Sequence, residues 1–157
     1  MATRPMTELV VGLDGSSASA CALRWAASVL PPAGRIHAVH AVGSLGEPDQ
    51  PGARASRWCA GLAADLTERI EVLPREVVDD VASGLIDVAE EVDAGAIVVG
   101  HHPRPRFGPR AVGHVTADLL RRSNRPVVIV PHAWDVGSRP GASIVVGVGV
   151  ASATRAA

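Results

Sequence analysis

Short runs of branched apolar residues alternate with segments of helical periodicity, and this alternation constrains the fold more than any other feature. The runs that predict strands cover residues 9–13, 36–42, 70–78, 96–100 and 126–130. The first, fourth and fifth runs are continuously apolar, as expected of parallel strands covered on both faces. Histidines alternate with apolar residues in the second, and the third is ragged and interrupted by Pro74. Apolar spacings of three and four predict helices over residues 17–30, 53–68, 81–92 and 112–122, with Ser16 or Ser17 capping the first.

This order predicts a single α/β domain. Parallel neighbours need crossover connections, and helices in those crossovers cover both faces of a doubly wound sheet. Ligands in such sheets bind beyond the carboxyl ends of the strands, where the strand order reverses. The candidate segments are therefore residues 12–16, 40–43 and 100–116.

Composition narrows the class of protein. The chain has a formal net charge of −1 and contains no apolar stretch near the roughly 20 residues of a membrane span. We therefore expect a cytoplasmic protein that binds neither nucleic acid nor membrane. Cys21 and Cys59 are too few for a disulfide framework, and neither has a catalytic setting.

Several motifs resemble the universal stress protein family in order and spacing. They are "VVGLDGS" at 10–16, "VHAV" at 39–42, "AIVVG" at 96–100 and "GHVTADLLRRSNRPVVIV" at 113–130, and the resemblance covers residues 7–131. It implies a flavodoxin-like parallel sheet of five strands in the order 3-2-1-4-5, a homodimer, and a stress-response or regulatory role.

The resemblance also implies a place for ATP after the fourth strand. ATP-binding members carry a glycine, two residues, a second glycine, nine residues, then a glycine followed by serine or threonine. Glycines let backbone N–H groups approach phosphate, and the last pair lies at a helix N-terminus. Gly100 and Gly113 match, but Pro103 replaces the second glycine and has no N–H, and His114 replaces the hydroxyl residue. Thr116 carries a hydroxyl, but helical spacing points it away from His114.

The adenosine side of the implied site is better matched. Gly12 and Asp14 stand at the first-strand positions near ribose and base, and Ala41 stands where the second-strand backbone meets adenine. An acidic residue after a first strand also serves to cap the following helix, so both roles stay open for Asp14.

The loop after the fourth strand carries Arg104, Arg106 and Arg110. Their guanidinium groups either replace the lost amides as an anion site or form a solvated surface. The second interpretation is favoured because charged loops are usually exposed.

Histidines in and near this loop do not predict a metal site. His101 and His102 are adjacent, so in an extended segment their side chains point to opposite faces. His114 is expected to cap or hydrogen bond at the helix start. His37 and His40, on the second strand, are expected to be structural histidines with satisfied hydrogen bonds.

Three functions remain open. The favoured one is a nonenzymatic regulatory module with weak or absent ATP binding; the others are an adenine-nucleotide binder, with ATP and Mg²⁺ as candidate ligands, and a slow ATP hydrolase. Ser16, Asp14 and His40 lack the nucleophile-elbow pattern, so no catalytic residue is predicted.

The domain is expected to span residues 1–131, followed by a linker at 132–143 and a tail at 144–157. The tail "SIVVGVGVASATRAA" echoes the first strand and turn, like a truncated second domain. Either residues 144–150 add a strand to a sheet edge, or the tail is partly disordered.

Overall fold

The computed structural model describes residues 6–41, 53–63, 70–77, 80–101 and 113–135. Strands and helices alternate along them. The strands are β1 (Glu8–Gly12), β2 (Arg35–Ala41), β3 (Glu71–Val77), β4 (Ala96–His101) and β5 (Val127–Pro131). The helices are α1 (Ser17–Val29), α2 (Ala53–Ala63), α3 (Val81–Glu91) and α4 (His114–Arg122).

The strands form one parallel sheet in the order β3-β2-β1-β4-β5. This confirms the predicted flavodoxin-like α/β class. β1 lies at the centre, and the strand order reverses there, since β2 and β3 extend to one side and β4 and β5 to the other.

Both faces of the sheet are buried. Leu9, Val11 and Ile36 point into a core beneath α1 and α2, whereas Val10 and Ile97 point into a core beneath α3 and α4. All five side chains are fully buried. Successive residues of a strand point to opposite faces, so two-sided burial explains why the middle of β1 and most of β4 are continuously apolar.

The predicted boundaries differ from the observed ones by a residue at several ends. β1 begins at Glu8 and ends before Leu13, and β5 runs from Val127 to Pro131. Pro74 lies inside β3 without breaking it. Because β3 is an edge strand of the described sheet, a residue that cannot donate a hydrogen bond is tolerated there. Residues 64–68, predicted as helix, lie outside the described part.

Side-chain caps begin two of the helices. Ser16, not Ser17, caps α1: its Oγ accepts from the Ser19 N–H at 3.1 Å. Asp80 caps α3 and also pairs with Arg122 of α4, whose Nη1 lies 2.9 Å from Asp80 Oδ2. Hydrogen bonds from Arg122 and Ser83 hold the pKa of the Asp80 carboxyl below its ordinary value.

The two histidines of β2 have different environments. His40 fulfils the expectation of a satisfied structural histidine, since its Nδ1 lies 3.0 Å from the Leu13 carbonyl oxygen. His37 is buried, and its Nε2 lies 2.9 Å from Glu8 Oε2. Its Nδ1, however, has no hydrogen-bond partner among the described residues. The expectation was therefore wrong for that nitrogen, since the residue is buried and its partners in register on the neighbouring strands are Val10 and Leu73.

Both cysteines are buried and free. Burial raises the pKa of the Cys59 thiol, which opposes the formation of a reactive thiolate. None of the described helices combines the length and the apolar character that crossing a membrane would require.

Candidate functional site

The carboxyl ends of β1 and β4 meet beside the point where the strand order reverses. α1 follows β1 there, and α4 begins on the same side after β4. Parallel α/β proteins bind their ligands in this crevice because two connections leave the sheet in opposite directions and open a gap.

A cavity of about 110 Å³ occupies this crevice. Four predicted site residues line it, namely Gly12, Asp14, Gly100 and Thr116. The deeper wall is apolar and comes from Val39, Leu85 and Val99. The sequence predicts Val39 and Val99 in strands and Leu85 in a helix, because apolar periodicity does not distinguish a cavity wall from a packed interior.

Gly100 has a packing role in addition to any ligand role. A Cβ atom at this position would lie 2.3 Å from the Ala18 carbonyl carbon and 2.4 Å from its oxygen. The backbones of β4 and α1 are therefore in direct contact, and only glycine fits between them. At Gly12 a Cβ would lie 3.4 Å from side-chain atoms of Leu85 and Val99, so that site is narrow but not closed.

The start of α4 provides backbone donors without competition from a side-chain cap. Gly113 is the N-cap residue and makes no side-chain cap hydrogen bond. Its φ of −62° is open to any residue, and a Cβ there would meet no described atom within 4 Å. Neither strain nor packing among the described residues requires this glycine, so it leaves room for a group that approaches the first turn of α4.

His114 and Thr116 face in different directions. His114 is the first helical residue and is exposed; the expectation that it caps the helix was wrong, because Gly113 occupies the N-cap position. Thr116 is 5% exposed and lines the cavity. Two residues along a helix correspond to more than half a turn, so the spacing that separates Thr116 from His114 directs Thr116 inward.

Asp14 is held at the rim of the cavity. Its Oδ1 accepts a hydrogen bond from the Ser16 N–H at 2.9 Å, which orders the turn, while Ser16 itself caps α1. Asp14 therefore supports the helix start and at the same time lines the cavity. Ala41 ends β2, opposite Val77, and is not among the described residues that line the cavity.

The predicted anion site of Arg104, Arg106 and Arg110 lies outside the described residues, as do Pro103 and His102. His101 is the last residue of β4 and is partly buried. Among the residues that the structure describes, no group of three or more His, Cys, Asp or Glu side chains is arranged to hold a metal ion.

Comparison with known proteins identifies the family of this chain. Residues 6–131 match the universal stress protein family. The chain therefore belongs to the universal stress protein family. A search of curated protein sequences found no significant match.

Solved structures of universal stress proteins share the fold. A member from Burkholderia pseudomallei is 27% identical, with a TM-score of 0.59 over 80% of this chain and 96% of its own. A member in complex with cAMP is 27% identical, with a TM-score of 0.63 over 83% of this chain and 100% of its own. The Archaeoglobus fulgidus member in complex with dAMP is 26% identical, with a TM-score of 0.58 over 83% and 99%.

Proposed function

We propose that this universal stress protein is a nonenzymatic regulatory module that binds an adenosine monophosphate, cyclic or linear, and binds ATP weakly. The observation that carries the proposal is the cavity at the β1 and β4 carboxyl ends, which brings Asp14 and Thr116 together beside the start of α4. Two relatives were solved with cAMP and dAMP, ligands that carry a single phosphate.

The lining of the cavity suits a purine ring and its ribose, and its volume of about 110 Å³ holds part of a nucleotide. The apolar wall of Val39, Leu85 and Val99 suits a purine ring, and the Asp14 carboxylate suits a ribose hydroxyl. The first turn of α4 offers backbone N–H groups and the positive end of the helix dipole to one phosphate.

A triphosphate needs more donors than this turn supplies. Its outer phosphates would depend on amides of the connection between β4 and α4, where Pro103 stands at the family's second glycine position and has no N–H. We therefore expect ATP to lose contacts that a monophosphate does not require.

The ionisable side chains that line the cavity favour a binding role over hydrolysis. Among the described residues that line the cavity, Asp14 carries the only ionisable side chain. A carboxylate that accepts a hydrogen bond from a backbone N–H keeps acceptor capacity for a hydroxyl group.

Isothermal titration of the full chain with cAMP, AMP, and ATP with Mg²⁺ tests this function. We expect both monophosphates to bind at least roughly tenfold more tightly than ATP, since the outer phosphates of ATP would give up hydration without donors to replace it. Thr116→Val, which removes a hydroxyl at constant volume, should weaken the monophosphates, while Leu120→Thr at an exposed position of α4 should not. ATP binding as tight as AMP binding would overturn the proposed preference, and no binding of any of the three would leave a nucleotide-independent module.

We also propose a homodimer formed through β5. This strand is the outermost on its side of the described sheet, and Ile129 is 38% exposed on it. An unpaired strand edge with an exposed branched apolar residue favours pairing with a second copy. A solution mass of one chain at micromolar concentration would contradict this assembly.

A further inference from the structure

A second cavity lies between α1 and α2. Its volume is about 380 Å³, within the range of about 300–1,000 Å³ typical of small-molecule sites. The walls include Gly15, Ser17 and Ala20 at and before the start of α1, and Arg57, Trp58 and Gly61 of α2.

This cavity is distinct from the nucleotide cavity. Leu13 and Ser19 line both, but the other described lining residues differ. Trp58 of α2 packs on the core beneath α1, whereas Leu85 of α3, in the wall of the nucleotide cavity, packs on the opposite core. The two cavities are therefore neighbours that share the turn between β1 and α1.

The indole of Trp58 is held in place before any ligand arrives. A Cβ atom at Gly15, where φ is +77°, would lie 2.6 Å from Trp58 Cζ2, so the glycine backbone packs directly against the ring. His40 meets the indole edge to face, with ring centroids 4.6 Å apart and an interplanar angle of 79°. The His40 ring is itself fixed, because its Nδ1 donates to the Leu13 carbonyl oxygen at 3.0 Å.

A fixed, partly exposed indole favours a planar ligand. Aromatic rings stack on indole or meet it edge to face, and a side chain that is already ordered loses little entropy on binding. Trp58 retains partial exposure and lines the cavity, so ring surface remains for such a contact.

The side chains around this indole are small. Ser17 and Ala20 line the cavity from α1, and Gly61 lines it from α2. A Cβ atom at Gly61 would meet no described atom within 4 Å, so packing among the described residues does not require a glycine there. The glycine also disfavours the helix relative to alanine. Its effect is to keep the wall of α2 low beside the ring.

The charged and polar groups at the cavity are already compensated. Arg57 takes part in an interaction within the folded chain. At the start of α1, Asp14 Oδ1 accepts the Ser16 N–H at 2.9 Å, and Ser16 Oγ accepts the Ser19 N–H at 3.1 Å. The Asp14 carboxylate also offsets the positive end of the helix dipole. An ionic ligand would give up its hydration without gaining an unpaired opposite charge, which favours an uncharged one.

We propose that this cavity is a second ligand site that binds an uncharged planar aromatic molecule. The ring of the ligand lies against Trp58, between the small side chains of α1 and α2. This site goes beyond the proposed nucleotide function and does not depend on it.

Titration calorimetry of the full chain at neutral pH tests the chemistry of the ligand. The probe is 2-naphthol, for which we expect a dissociation constant below about 1 mM. Decahydro-2-naphthol has the same skeleton without planar rings, and it should bind roughly three- to tenfold more weakly because it cannot stack on the indole. The carboxylate 2-naphthoate should bind no more tightly than 2-naphthol.

Nuclear magnetic resonance locates the bound probe. The chain has three tryptophans, so a ¹⁵N-labelled sample gives three indole N–H signals, and Trp58→Phe identifies one of them by its loss. We expect 2-naphthol to shift the Trp58 signal with the same dissociation constant that calorimetry measures. The signals of Trp25 and Trp134 should shift less, because neither residue lines the cavity.

Two variants at one position give a matched pair. Ala20→Leu extends a larger side chain from the wall of α1 and should abolish binding of 2-naphthol, whereas Ala20→Ser adds a single oxygen atom and should retain it. Gly61→Leu, from the opposite wall, should act like Ala20→Leu. Leucine favours a helix, so thermal unfolding should show both leucine variants folded. Both should bind cAMP as the unaltered chain does, because neither residue lines the nucleotide cavity.

Several results would overturn the proposal. They are no binding of 2-naphthol at about 1 mM, equal binding of its saturated analogue, tighter binding of 2-naphthoate, and binding that leaves the Trp58 signal unmoved or survives in both leucine variants. Loss of cAMP together with 2-naphthol in these variants would also overturn it, because the probe would then occupy the nucleotide cavity. A chain that binds 2-naphthol at Trp58 but does not bind cAMP refutes only the nucleotide function.

Discussion

Gly100→Ala should destabilise the fold through backbone contact alone. The new Cβ would lie 2.3 Å from the Ala18 carbonyl carbon, 2.4 Å from its oxygen and 2.7 Å from the Ser19 nitrogen. Ordinary carbon contacts are about 3.5–4.0 Å, so β4 and α1 would have to separate by about 1 Å. Overpacking typically costs about 1–3 kcal/mol, and we expect about 3 kcal/mol because backbone atoms cannot rotate away.

Urea unfolding followed by circular dichroism measures this cost. With a slope of about 2 kcal/mol per molar urea, the midpoint should fall by about 1.5 M at an unchanged slope. Gly12→Ala is the matched control in β1: its Cβ would meet side chains of Leu85 and Val99 at 3.4 Å, so we expect a change of less than about 1 kcal/mol. Equal losses in the two variants, or a loss below about 1 kcal/mol for Gly100→Ala, would refute the argument from backbone contact.

Two further predictions concern an ion pair and the tail. The pKa of Asp80 is lowered in the folded chain, mainly by its hydrogen bond from Arg122, so its stabilising contribution is present at neutral pH and disappears as the pH falls through the folded pKa. Asp80→Asn should therefore lower the melting temperature more at about pH 7 than at about pH 3, and an equal decrease at both would contradict the assignment. We propose that residues 144–150 add a strand at a sheet edge; deletion of residues 136–157 should then change the solution mass or lower stability, and no change in either would dismiss that role.

The central strands of the sheet were predictable from the sequence because burial on both faces requires an uninterrupted run of apolar residues. Val10 and Val11 point into different cores, so both positions must be apolar, and the run cannot alternate. The edge strand β3 was harder to place, because partly exposed positions and Pro74 weaken the pattern. Several predicted strand ends differ from the observed ones by a residue, because a strand boundary depends on pairing with the neighbouring strand, which the sequence of one segment does not specify.

The candidate site was predictable in part. Asp14 and Thr116 were identified by their positions after β1 and in α4, and the structure brings them to one cavity. The inward orientation of Thr116 depends on where α4 begins, which is set by the N-cap at Gly113. Val39 and the packing role of Gly100 were not foreseen, because they arise from contacts between elements distant in the chain.

The contact at Gly100 has a mechanical consequence for ligand capture. Two main-chain segments in close contact would lose that contact if they separated, so movement of α1 away from β4 is opposed when a molecule enters. Adjustment to ligands of different shapes is then easier at the opposite wall, where α4 begins at Gly113 and an added Cβ would meet no described atom within 4 Å.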